Sequence, residues 1–180
     1  PEDIINRSMF LTDLRADGGI TYLEYTGKYG EPLWRFGEGL SYSNISEMWA
    51  DPKPDLERTA LALRTERIAE SASAIVRTFS VTVKNEGSIV TDHVVLCFLS
   101  SNHTRAFSNK KLVNFGRVAS LKPGQSQTLH LELLSEQIAI PSETGTMMIL
   151  PGVYDVIAGD VRFPLTTSFE IGGDATILSR

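Results

Sequence analysis

The sequence holds a single cysteine, Cys97, so no internal disulfide can form and cysteine spacing says nothing of the redox compartment. Cys97 sits in the apolar run "HVVLCFLS", where a buried, inert thiol is the ordinary role. Histidine is scarce as well. His93, His103 and His130 stand apart, without the close or regular spacing that gathers ligands round a metal, so no metal site is expected. No apolar run reaches the length of about 20 residues that a helix needs to cross a bilayer, and no membrane association is expected. Basic clusters go no further than pairs such as Lys110-Lys111, and the net charge is -5. Phosphate binding needs a basic face, so nucleic acid is excluded as a partner.

Catalytic patterns are missing too. No G-x-S-x-G elbow occurs. Gly37-Glu38-Gly39 runs on into Leu40-Ser41-Tyr42, without the third glycine and the lysine of a phosphate loop. No cofactor is expected. Hydrolysis of a sugar bond wants two carboxylates facing each other across the scissile bond. There are 22 acidic residues, but none falls in an informative pattern. Asp13, Asp17, Glu24, Glu31 and Glu38 lie in a glycine-rich front end and read as turn or surface residues. The chain opens on Pro1 with no charged-then-apolar leader, as expected of a processed product or a piece of something longer.

What is present is period-two alternation. In "TFSVTVKNEG", Phe79, Val81 and Val83 point one way and Thr78, Ser80, Thr82 and Lys84 the other. That is a half-buried strand running into a turn at Asn85-Glu86-Gly87. "DHVVLCFLS" is apolar on both faces, as in a strand deep in a sheet. "KPGQS" is a turn, and "TLHLELL" places Leu129, Leu131 and Leu133 inward. "LPGVYDVIAGD" repeats the plan, and "TTSFEI" supplies a last strand. Strands separated by Pro/Gly turns, with no room for crossover helices, predict a mainly β chain folded as an antiparallel β-sandwich. The Cys…Trp…Cys spacing of antibody domains is lacking, so any immunoglobulin likeness is architectural.

The expected sandwich spans residues 75–172, followed by a tail, 173–180. Residues 50–74 open with the stiff "DPKPD" and read as a linker with a short ordered piece. Residues 1–49 form an irregular N-terminal extension, broken by Gly18-Gly19, Gly27 and Gly30. A stretch this interrupted is not expected to build its own core and reads as the end of another domain. Three glycosylation acceptors, at Asn6, Asn44 and Asn102, lean toward a secretory route, hence a secreted or lysosome/vacuole-like location.

Within the extension, "EPLWRFGEGLSYSN" gathers Trp34, Phe36 and Tyr42 around Gly37 and Gly39. Two roles fit it. Trp34, Phe36, Leu40 and Tyr42 alternate with polar or small residues, which suits anchoring one face against a neighbour, with the glycines giving tight backbone paths. A sugar-stacking platform would also use Trp34 or Tyr42.

The order of motifs resembles the C-terminal region of glycoside hydrolase family 3, the β-glucosidases and β-xylosidases. "TYLEYTGKYGEPLWRFGEGLSYS" is similar to the segment that closes that family's second domain, an α/β sandwich. "FSVTVKNEGSIVTDHVVLCFLS", "KKLVNFGRVASLKPGQSQTLHLELL" and "LPGVYDVIAGD" are similar to the fibronectin type III-like domain that follows. The resemblance implies that Trp34, Phe36, Gly37, Gly39, Leu40 and Tyr42 are a connector packing one domain on the other. It also implies that the nucleophile and the acid/base lie upstream, so no catalytic residue is carried over. Gly18-Gly19-Ile20 stands where many members have Pro-Gly-Arg before the Thr-Tyr, and 50–74 looks longer and more polar than usual. The implied role is a non-catalytic support whose partners are the catalytic domains of a parent enzyme acting on terminal β-linked glucose or xylose. The alternative is a free-standing module that binds a glycan or a protein. Exposed front-end segments would also suit self-association.

Overall fold

The computed structural model describes residues 25, 27–28, 30–50, 63–101 and 110–179. Among these residues, ten strands and two short helices follow in chain order: β1 (Ile45–Trp49), α1 (Thr65–Ile68), β2 (Ile75–Asn85), β3 (Thr91–Ser101), β4 (Lys111–Leu121), β5 (Ser126–Leu134), α2 (Ser135–Ile138), β6 (Ile140–Pro141), β7 (Met147–Ile149), β8 (Gly152–Ala158), β9 (Leu165–Ile171) and β10 (Thr176–Ile177). They make a three-stranded sheet in the order β1-β2-β5, a four-stranded sheet in the order β4-β3-β8-β9, and a small sheet in the order β10-β7-β6. Every ladder between these strands is antiparallel. The first two sheets face each other, and the expected sandwich is what the chain forms.

Alternation decides which side chains meet between the sheets. Phe79, Val81 and Val83 of β2 are buried, and so are Leu131 and Leu133 of β5. From the other sheet come Val95, Cys97 and Leu99 of β3, Val156 and Ala158 of β8, and Phe169 and Ile171 of β9. Each large apolar side chain removed from water in this way contributes about 1.5–3 kcal/mol. The outward face of β2 and β5 is polar, as the pattern predicts. Thr82 and Thr128 share a hydrogen bond of 2.9 Å, and Ser80 meets Nδ1 of His130 at 3.0 Å.

The sheets recruit more chain than the alternation alone marks out. β1 pairs with β2 from Ile45↔Asn85 to Trp49↔Val81, so the three-stranded sheet begins at residue 45, upstream of the expected start at 75. Residues 63–74, from the stretch read as a linker with a short ordered piece, also lie within the fold. Leu63 and Ile68 are buried. Arg64 bridges Gly172, and the Thr65 hydroxyl donates to the Asp174 carbonyl at 2.5 Å. Ser135 Oγ donates to the Ile68 carbonyl at 2.5 Å. The segment lacks a long period because it covers one end of the sandwich with single residues. In the expected tail, Thr176–Ile177 pairs with β7.

Tyr154 marks another corner. Its ring stacks on Phe169 at 5.6 Å, and its hydroxyl donates to the Leu150 carbonyl at 2.8 Å. A tyrosine near the start of a strand, bonded four residues upstream, is the tyrosine-corner device of such sandwiches. The alternation reading passed over it, although "LPGVY" carries the signal of a Pro-Gly turn two residues before a tyrosine.

Candidate functional site

Residues 30–44 run over the outside of the four-stranded sheet and are held at two points. The first is aromatic. Phe98 lies on the outward face of β3, yet is only 1% exposed, because residues from the connector cover it. Phe36 meets it edge to face, with ring centroids 5.4 Å apart. Such pairs add about 0.5–1.5 kcal/mol beyond the area they bury. Lys110 Nζ lies 4.2 Å from the Phe98 ring centroid and 5.9 Å from that of Phe36. Burial, and then the neighbouring charge of Arg35, hold the Lys110 ammonium below its usual range.

Gly37 makes the approach geometrically feasible. Its φ is +84°, and a Cβ there would come within 2.5 Å of Phe98 Cζ. Gly39 differs: a Cβ at that position meets open space. Between them the backbone folds back locally, as the Glu38 amide donates to the Arg35 carbonyl at 2.8 Å and the Arg35 amide to Glu38 Oε2 at 3.0 Å.

The second point is polar. Asn85 closes β2 and is fully buried. Its Nδ2 donates to the carbonyls of Ile89 at 2.8 Å and Leu121 at 2.9 Å. Its Oδ1 accepts from the Ser43 hydroxyl at 2.7 Å and the Gly87 amide at 3.0 Å. One side chain therefore ties the connector, its own turn and the end of β4. A buried amide is tolerable only when satisfied in this way.

The rest of the connector has no cover among the described residues. Leu33 is 96% exposed, Tyr42 92%, Leu40 75% and Trp34 61%. The six residues singled out in the sequence thus divide. Phe36 and Gly37 sit on this chain's own sandwich, Gly39 borders open space, and Trp34, Leu40 and Tyr42 face outward. Asn44 is exposed immediately before β1. Asn6 and Asn102 lie outside the described residues, as does the whole stretch 102–109.

Among the described residues the acidic groups do not assemble a hydrolytic pair. Glu31 is exposed and ion-paired with Arg35 at 3.2 Å. Glu47, which the sequence reading missed, has the most enclosed side chain of the described carboxylates that touch a basic side chain. It alternates with Ile45 and Trp49 on β1 and so points inward. Its Oε1 lies 2.8 Å from His93 Nε2, and its Oε2 accepts the Asp160 amide at 2.8 Å. Both oxygens are engaged by protein groups, and the pair joins the two sheets at one end. Asp160 in turn is held below the usual carboxylate range by its hydrogen bond to Arg162. Among the described residues, no group of three or more His, Cys, Asp or Glu side chains could hold a metal ion. Burial pushes the Cys97 thiol up to about 12, which removes it as a nucleophile near neutral pH.

Comparison with known proteins bears on this geometry. Residues 93–161 match the family model of the fibronectin type III-like domain. The chain is 29% identical over 177 residues to an exo-1,4-β-xylosidase of Emericella nidulans, covering 97% of this chain and 22% of that protein. A second exo-1,4-β-xylosidase of the same organism is 31% identical, over 94% of this chain and 22% of its own length. A solved structure of a GH3 exo-β-xylosidase superposes with a TM-score of 0.69 at 27% identity, covering 89% of this chain and 21% of that one. A β-glucosidase from Listeria innocua in complex with glucose gives a TM-score of 0.64 at 25% identity, covering 90% and 22%. The likeness extends over almost the whole chain, which nevertheless spans only about a fifth of the length of these relatives.

Proposed function

We propose that this chain is the non-catalytic, C-terminal accessory part of a family 3 glycosidase. The remaining polypeptide would hydrolyse terminal β-linked xylose or glucose by a retaining route with two carboxylates. The curated relatives described above are exo-1,4-β-xylosidases, which favours xylose. The sandwich buttresses the catalytic domains, and the connector is the joint.

One observation carries this reading. A connector stapled to the sandwich by Phe36 and Ser43 leaves Leu33, Trp34, Leu40 and Tyr42 facing outward, on a chain one fifth as long as its relatives. Large apolar side chains left facing water along one connector mark an interaction surface. Gly39, with open space where a side chain would go, leaves room for a neighbour's backbone. The exposed acceptor Asn44 supports passage through a secretory route.

The purified 180-residue chain should turn over neither aryl β-xylosides nor aryl β-glucosides, while the longer polypeptide containing it should hydrolyse one of them. Turnover by the 180-residue chain would overturn the proposal. Titration with xylo- and gluco-oligosaccharides, followed by Trp34 and Trp49 fluorescence, should be flat. Saturable micromolar binding would instead support a free-standing glycan-binding module.

A further inference from the structure

The two outward faces of the sandwich differ in a way that the proposed joint does not explain. Over β1, β2 and β5 the outward side chains include Ser80, Thr82, Thr128 and His130, which pair with one another across the strands. Met48, and Ile75 at the start of β2, are the exposed large apolar residues of these strands. That face is finished for water. The outward face of β3 and β4 is not. Register sets Leu96 opposite Phe115 and Phe98 opposite Leu112, while Phe98 faces Ile157 on its other side. Directly opposed side chains are near neighbours, so these residues form one apolar strip, which ends at Val94, set opposite Arg117. Phe36 covers only the Phe98 end of it. Phe115 remains 63% exposed, Val94 42% and Leu112 41%.

We infer that the outward face of β3 and β4 is a second docking surface, continuous with the connector, and that its occupant is the catalytic part of the same polypeptide. This rests on the accessory-domain reading above. The position of the connector points to that occupant. Phe36 and Gly37 are pinned against this face at Phe98, so the connector meets the sandwich on this side and not on the polar one. Relatives carry nearly four fifths of their length outside the matched region, enough mass to cover a sheet face. A second copy of this chain would have no such tether.

Hydroxyl-radical footprinting of the 180-residue chain and of the longer polypeptide tests the inference. In the longer protein, oxidation of Phe115 should fall by about fivefold or more, as for a ring moved into the dry core of an interface. Met48 and His130 should react alike in both. Phe115→Glu should restore oxidation of Trp34 or lower the longer protein's melting temperature, without unfolding the 180-residue chain, where Phe115 is already exposed. Protection of Trp34 and Tyr42 with Phe115 unchanged would overturn the second surface and leave the joint standing. Loss of Phe115 reactivity in the 180-residue chain as its concentration rises, with a dimer mass, would assign the face to a second copy and overturn the inference. If the longer polypeptide hydrolyses no β-glycoside, the accessory-domain reading itself fails.

Discussion

The Ser43 hydroxyl donates to Oδ1 of Asn85 across 2.7 Å, joining the end of the connector to the end of β2. These residues are 42 positions apart in sequence. The same amide oxygen takes the Gly87 amide, while the amide nitrogen serves two carbonyls. Asn85→Ala would strand several buried polar groups at once, each costing about 1–3 kcal/mol. A loss of about 3 kcal/mol or more is expected in urea unfolding, with the m-value unchanged. Ser43→Ala removes one bond and should cost about 1 kcal/mol.

The two connector glycines should respond differently. At Gly37 an alanine must adopt positive φ, at about 1–2 kcal/mol, and its Cβ collides with the Phe98 ring. Gly37→Ala should therefore release the connector, seen as faster proteolysis between residues 30 and 44. Gly39→Ala should leave the 180-residue chain unchanged within about 0.5 kcal/mol. In the longer protein, Gly39→Ala should lower thermal stability, since the space beside it is then occupied.

Glu47 ties β1 to His93 on β3 and to the amide of Asp160 after β8. Removing the carboxylate leaves those donors without their acceptor in a partly buried site. Glu47→Ala should destabilise by about 2–3 kcal/mol, in line with hydrogen bonds to a charged group. Differential scanning calorimetry measures it. No change in melting temperature would show that water replaces the carboxylate.

Alkaline pH should weaken the fold through two buried acids. Burial pushes Cys97 up to about 12. It does the same to Tyr154. Below about pH 8.5 the thiol is neutral in both folded and unfolded chains. Above that, the unfolded thiol ionises while the buried one keeps its proton, so the folded state binds more protons and stability falls with rising pH. The slope approaches about 1.4 kcal/mol per pH unit for each group, with tyrosine joining near pH 10. The decline ends as pH passes through about 12. Cys97→Ala should flatten the earlier part of the decline in urea melts between pH 8.5 and 11, and Tyr154→Phe the later part.

Regular strands were legible from the residues themselves. Phe79, Val81 and Val83, then Leu129, Leu131 and Leu133, alternate with polar neighbours, and a period of two leaves one way to bury them. The turns at 122–126 and 151–152 were equally plain, because Pro and Gly act locally. What escaped was everything set by single residues meeting across long separations. Glu47 reads as an ordinary surface charge until β1 pairs with β2 and turns it toward His93. Leu63, Thr65 and Ile68 read as linker until Gly172, Asp174 and Ser135 arrive beside them.

Composition and periodicity by themselves determined a β-sandwich with an aromatic, glycine-bearing connector, because both follow from the order of side chains along the chain. Only the tertiary structure decided which side of the connector faces home. Phe36 and Gly37 turn to Phe98 while Trp34, Leu40 and Tyr42 turn away, and the polar and apolar faces separate onto different sheets. Those outcomes depend on which strands become neighbours, and no local pattern encodes that choice.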